Sequence, residues 1–171
     1  MTELILKERL QPALLDRLTD DHPERRQETA QQRVLTMREL RQKVLRDVSW
    51  LFNTTNLEAG TDLSAYPRVA SSVLNYGIAD LTGRTATSLT AKRIETMIRE
   101  AILRFEPRIR PESVRVLAVL SPGKSDRNAI AFEVEGDLWG QPVPMHLLLK
   151  TEIDLDSGHV SMQDNSGTMV G

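Results

Sequence analysis

The hydrophobic period of this chain changes once. Up to Phe105 the apolar residues recur at three- and four-residue steps, and from Val114 onward they alternate. The first pattern gives a helix one apolar face, and the second gives a strand one apolar face. Helices followed by strands with short turns between them predict an α+β fold. N-terminal helices should pack on one face of a small C-terminal antiparallel sheet of three to four strands.

The helical half opens with Leu14, Leu15 and Leu18, a short amphipathic stripe with Pro12 suited to its first turn. The polar run from Asp20 to Glu28 lacks apolar anchors and reads as a linker or an exposed helix start. Thr36 and Glu39 have capping-box spacing, followed by Leu40, Val44, Leu45, Val48, Leu51 and Phe52 on one helical face. Arg38, Arg41, Arg46 and Asp47 take much of the other face, and Asn53 to Asn56 favour an exit. Tyr66-Pro67 should open a short helix through Val69, Val73 and Leu74, with Gly77 as its stop. A third helix should start at Ser88 or Thr90, bury Ile94, Met97, Ile98, Ala101, Ile102 and Phe105, and end at Pro107.

Strands are expected over 114–120, 129–138 and 143–153, with a short fourth at Val160 and Met162. Turn-forming residues at 121–126, 140–142 and 156–158 separate them. Glu133, Glu135 and Lys150 should lie on a wet face. The expected organisation is an arm over 1–30, one domain over 31–162 and a disordered tail over 163–171.

Composition excludes several chemistries. No residue is cysteine, which removes disulfides, thiol nucleophiles and Cys-based metal sites. The net charge of -2 argues against general nucleic-acid binding. No run approaches the ~20 apolar residues of a membrane span, and the start has no secretory h-region. His22, His146 and His159 lack zinc-site spacing. Ser121 to Ser125 lacks the first glycine of a phosphate loop, and Asp154 to Gly158 lacks the acidic spacing of a calcium loop. No cofactor or metal is therefore expected, and paired carboxylates are the hardest enzymatic chemistry to exclude. A glycosidase needs two carboxylates ~5–5.5 Å or ~6.5–9.5 Å apart, and Glu58, Asp62, Asp80 and Glu106 sit in no recognisable frame.

Glu106-Pro107-Arg108 stands out at the junction of the last helix and first strand. As a structural feature it is a helix stop with a surface ion pair worth under ~1 kcal/mol. As a functional feature it projects opposite charges from a rigid corner as a clamp on another chain. On the residues alone the structural account is favoured.

Four segments together resemble one family. They are Leu14-Leu15-Asp16-Arg17-Leu18, Ser72 through Asn75-Tyr76-Gly77, Phe105-Glu106-Pro107-Arg108, and Phe132 to Leu155 running into Asp156-Ser157-Gly158. Their order and spacing, from Leu14 to Met162, resemble the bacterial type VI secretion baseplate subunit TssE, a relative of the baseplate wedge proteins of contractile phage tails. The resemblance implies a non-enzymatic structural component, cytoplasmic at the inner-membrane-associated baseplate. Its partners would be wedge subunits and contractile sheath subunits, with strand exchange at a sheet edge. It assigns Glu106, Pro107 and Arg108 to a protein interface, which favours the clamp. Asn75, Tyr76 and Gly77 become an interface or turn, and Leu14, Leu15 and Leu18 a docking arm. The alternatives are a peptidoglycan-cleaving, lysozyme-like glycosidase, or a wedge component of a phage tail or other contractile injection particle. The family's old lysozyme-like label does not by itself establish chemistry.

Overall fold

The structure is a computed structural model that describes residues 13–19, 35–82, 91–119, 129–139, 144–164 and 169–170. Most of the arm, the caps at Ser88 and Thr90, and the turns at 121–126 and 140–142 lie outside these residues. Four helices come first: α1 (Leu14–Leu18), α2 (Met37–Phe52), α3 (Pro67–Ala70) and α4 (Ala91–Phe105). Five strands follow: β1 (Arg115–Val119), β2 (Ala129–Leu138), β3 (Met145–Asp154), β4 (Val160–Asp164) and β5 (Met169–Val170). They form one antiparallel sheet in chain order. The α+β arrangement expected from the change of period is the one found.

The core lies between α2, α4 and the inward face of the sheet. Val44, Val48 and Phe52 of α2 meet Ile94, Ile98 and Ile102 of α4 and the alternate residues of β2 and β3. Phe52 and Phe132 pack edge to face with ring centroids 6.3 Å apart. Trp50, Trp139 and Tyr66 are exposed, so the core is mainly aliphatic. On the outer face Glu133 lies between Leu117 and Lys150 in register. An opposite-charge cross-strand neighbour is favourable there.

Local sequence sets the ends of α2. Thr36 Oγ1 accepts the Glu39 N–H at 3.2 Å and Glu39 Oε2 accepts the Thr36 N–H at 2.7 Å, a complete capping box. At the other end the Asn53 amide donates to the Val160 C=O and accepts its N–H, both at 2.9 Å. The helix exit is thereby stitched to β4.

Two expectations are corrected. The helix opened by Tyr66-Pro67 stops at Ala70. Ser71 Oγ bonds back to the Pro67 C=O at 3.0 Å, and Ser72 starts a separate 3-10 turn over Val73–Asn75 by accepting the Leu74 N–H. Hydroxyls compete with helix propagation in this way. Val73 and Leu74 are consequently 78% and 68% exposed and are not part of an apolar helix face. The region expected as a disordered tail contains Gln163 and Asp164 of β4 and Met169–Val170 of β5. The inward period continues as Val160, Met162, Asp164, and the last position holds a carboxylate paired with Arg41 of α2.

Asn75-Tyr76-Gly77 forms the turn between α3 and the Thr55–Ile78 bridge. The buried Asn75 side chain accepts the Glu58 N–H at 3.0 Å and donates to the Ala70 C=O at 3.1 Å. Gly77 has φ 118°, and a Cβ there would lie 2.2 Å from the Thr54 carbonyl oxygen. Gly77→Ala should therefore cost about 2–3 kcal/mol. Urea denaturation measures this, and a neutral result would mean the turn adjusts.

Candidate protein-interaction site

The Glu106-Pro107-Arg108 corner starts where α4 runs out of donors. The Glu106 N–H makes the last helical bond, to Ile102 at 2.9 Å, and Pro107 has no N–H to continue. The Ile109 N–H then turns back to the Glu106 C=O at 3.2 Å. The Trp139 N–H donates to the Arg108 C=O at 2.8 Å and the Arg110 N–H to the Asp137 C=O at 2.9 Å. These bonds fasten the corner to the end of β2.

The side chains do not project as two charged prongs. Glu106 is only 3% exposed, and its carboxylate accepts Arg108 Nε at 2.6 Å, Arg108 Nη2 and the Arg108 N–H. A buried carboxylate needs such compensation, and the turn at Pro107 brings its neighbour two residues on back to supply it. Arg108 Nη2 also donates to Asp47 Oδ2 on α2 at 2.6 Å. Burial works against the guanidinium charge, but Glu106 and then Asp47 outweigh it and push the Arg108 pKa further up. Nη1 has no partner among the described residues, and the side chain retains 22% exposure.

The corner gathers two of the other three sequence segments. The Tyr76 hydroxyl reaches the Asp47 C=O at 3.3 Å, and its ring meets Phe105 edge to face at 5.2 Å. Burial, with the charges of Asp47 and Glu106, raises the Tyr76 pKa. On the far side of Asp47, Arg46 Nε donates to Asp47 Oδ1 at 2.8 Å, and Arg46 Nη2 lies 2.9 Å from Asp16 of α1. Lys43 Nζ lies 3.0 Å from the same Asp16 oxygen. A chain of alternating charge thus runs Lys43, Asp16, Arg46, Asp47, Arg108, Glu106. It holds α1 on α2 with Leu14, Leu15 and Leu18 72%, 47% and 74% exposed. The Arg46 guanidinium also sits 4.9 Å from the ring centre of the half-exposed Trp50.

Asp47 and Arg46 were missed as site residues. On the polar face of α2 their spacing matches any solvated helix face, and adjacency of Arg46 to Asp47 was the one available signal.

Elsewhere the structure offers little chemistry. A cleft of about 540 Å³ between α4 and the 56–79 segment is lined by Glu58, Asn75, Lys92, Glu100 and Arg104. The Asn75 amide lies 3.4 Å from the Glu58 carboxylate there. No metal-binding cluster of His, Asp or Glu exists among the described residues. Asp137 Oδ1 lies 3.0 Å from His146 Nδ1 on the surface. No helix among the described residues is long and apolar enough to cross a membrane.

The family model described as baseplate wedge protein gp25 matches residues 38–143, from α2 through the corner to the end of β2. The chain belongs to this baseplate wedge family. TssE is the type VI secretion member of the gp25 family. Comparisons with curated proteins and with solved structures gave no match. Within the family match lie Asp47, Tyr76 and the whole Glu106-Pro107-Arg108 corner, while α1 precedes it.

Arg108→Ala should destabilise the fold by about 3 kcal/mol. This is the low end for breaking a buried pair, because Arg108 is partly solvated. Adding Glu106→Gln should recover much of the loss, as urea titration of both variants will show. Asp16 gives a pH signature. Desolvation raises its pKa, but the cationic groups of Lys43 and Arg46 held against it prevail and lower it below the usual 3.8. A lowered carboxyl stabilises fully above its unfolded value and stops stabilising as pH falls through the folded value. Docking of α1 should thus be intact at neutral pH and fail only below the ordinary carboxylate range. Proteolysis after Arg17 reads it, and Asp16→Asn should give the released pattern already at neutral pH.

Proposed function

We propose that this chain is a non-enzymatic structural component of the type VI secretion baseplate wedge. It joins wedge subunits to the first ring of the contractile sheath and helps start sheath assembly, in the cytoplasm at the inner-membrane-associated baseplate. Membership of the baseplate wedge family over residues 38–143 carries this reading. The segment Leu14-Leu15-Asp16-Arg17-Leu18, which resembles the secretion subunit, is joined to the corner through Arg46 and Asp47; a wedge component of a phage tail or other contractile particle is the alternative, which neighbouring genes would distinguish.

The interface consists of Pro107, the exposed rim of Arg108, and Leu14, Leu15 and Leu18. Glu106 acts from behind. It fixes the guanidinium plane, so that Nη1 points one prepared donor group at a carboxylate or carbonyl of a wedge subunit. Preorganising that side chain lowers the cost of ordering it on binding. The leucines supply apolar area that the chain itself leaves uncovered. Asn75 and Gly77 hold Tyr76 against the corner.

Co-purification with the two large wedge subunits tests this. Wild type should form a discrete complex. Leu14→Asp/Leu18→Asp, in a helix with no buried residue, should stay folded and bind at least about tenfold more weakly. Arg108→Lys, which retains the charge beside Glu106, should also weaken the complex. Failure of wild type to bind would refute the secretion-wedge assignment. Peptidoglycan turnover by the purified protein, lost on Glu58→Gln, would replace it with the glycosidase.

A further inference from the structure

α1 is docked by a charge. Its Asp16 side chain is 1% exposed, while Leu14, Leu15 and Leu18 are all exposed. A surface helix ordinarily buries its apolar stripe and leaves its carboxylates in water. Here the order is reversed, so what receives α1 is a carboxylate site. Lys43 Nζ and Arg46 Nη2, one turn apart on α2, meet the same Asp16 oxygen at 3.0 and 2.9 Å. The fit is incomplete. Both Asp16 oxygens and Arg46 Nη2 are buried, yet none of the three has an aligned hydrogen bond among the described residues. Buried polar atoms left in this way are costly. Arg46 is fixed without α1. Its Nε donates to Asp47 Oδ1 at 2.8 Å, and its guanidinium sits 4.9 Å from the ring centre of the half-exposed Trp50. The guanidinium edge formed by Nη1 and Nη2 is therefore held in place and makes no aligned bond among the described residues.

The charges lead to the same chemistry. Lys43, Arg46 and Arg108 stand against Asp16, Asp47 and Glu106. With α1 withdrawn, three cations face two carboxylates, and the excess lies at Lys43 and Arg46. One carboxylate answers it. Two oxygens aligned on the Nη1–Nη2 edge form the paired bonds that Asp16, held by its short helix, does not form. The occupant in place is a residue of a polypeptide with apolar neighbours. Trp50, open beside Arg46, supplies an aromatic surface for the apolar neighbour of an incoming acidic residue.

We propose that Arg46 and Lys43 form a receiving site for an Asp or Glu side chain of a protein partner, and that Asp16 is an internal placeholder which this side chain displaces. Docking at α2 then frees α1 with its three leucines. The site is separated from Arg108 by Asp47 and does not depend on which contractile machine the chain serves.

Calorimetric titration of the full chain with poly-L-glutamate tests this. Asp16→Asn, whose site is open, should bind the polymer at least about tenfold more tightly than wild type, in which the placeholder keeps most molecules closed. Adding Arg46→Lys keeps the charge but loses the fork, and should weaken binding at least about tenfold again. Circular dichroism establishes that each variant is folded. Asp16→Asn that binds no more tightly than wild type, or Arg46→Lys without effect, overturns the proposal. So does inorganic phosphate that binds Asp16→Asn as tightly as the polymer, which would make this a general anion site. A measurement on wild type is independent of any variant fold. Poly-L-glutamate should speed trypsin cleavage after Arg17 at least about tenfold, sodium chloride at matched ionic strength should not, and Asp16→Asn, already released, should not respond. No acceleration of wild type, or equal acceleration by the salt, overturns the proposal.

Discussion

The fold turns on a carboxylate that cannot stay in its place unaided. Glu106 closes α4 and is almost fully buried. Taking a charge from water costs several kcal/mol unless it is paired and hydrogen-bonded. Three Arg108 donors supply that compensation, and Asp47 holds the same guanidinium from α2. The angle at which α4 hands the chain to the sheet is therefore referred to α2 through one planar cation. Arg108 suits this role because its donors form a rigid fork, whereas a lysine ammonium would not fix a plane. A well-packed apolar group would serve stability equally well. The retained charge makes sense as a geometric specification of the corner.

The parts legible in the sequence are those set by neighbours within about one helical turn or one strand. The capping box at Thr36, the apolar face of α2 and the inward alternation of β2 and β3 depend on local spacing and were all readable. The failures have long-range causes. Asp47 looks like any polar helix residue until Arg108, 61 residues on, arrives beside it. Asn53 reads as a helix exit, yet its amide also serves Val160, 107 residues away. Asp164 breaks the apolar alternation that marks a strand, because its inward position is made tolerable by Arg41, 123 residues earlier. Glu106-Pro107-Arg108 was conspicuous, but a tripeptide carries no information about which side faces in.

Side chains take outward backbone groups beside β1 and at Val160 of β4, ahead of where β5 pairs, with different chemistry at each. At β4 an uncharged amide supplies one donor and one acceptor to a single residue, as an adjacent strand would. At β1 two charged groups each take one backbone partner, and one of these bonds is long at 3.4 Å. A neutral amide with two bonds loses both to water when displaced. A carboxylate and a guanidinium regain strong hydration when they swing out. The second closure is the easier to exchange.

The interaction surface combines a stiff part with a loose part. The corner is fixed by backbone bonds to β2 and by charged hydrogen bonds to α2. α1 has no buried residue, and among the described residues its Asp16 is paired with Lys43 and Arg46 of the body. Segments with few buried contacts open at low free energy. Asp16 and Asp47 share Arg46, so release of α1 leaves Arg46 paired with Asp47 and the corner undisturbed. A partner that meets both surfaces finds Arg108 already oriented and has only α1 to order. The ordering cost thus falls on a segment of five helical residues and spares the junction between helices and sheet.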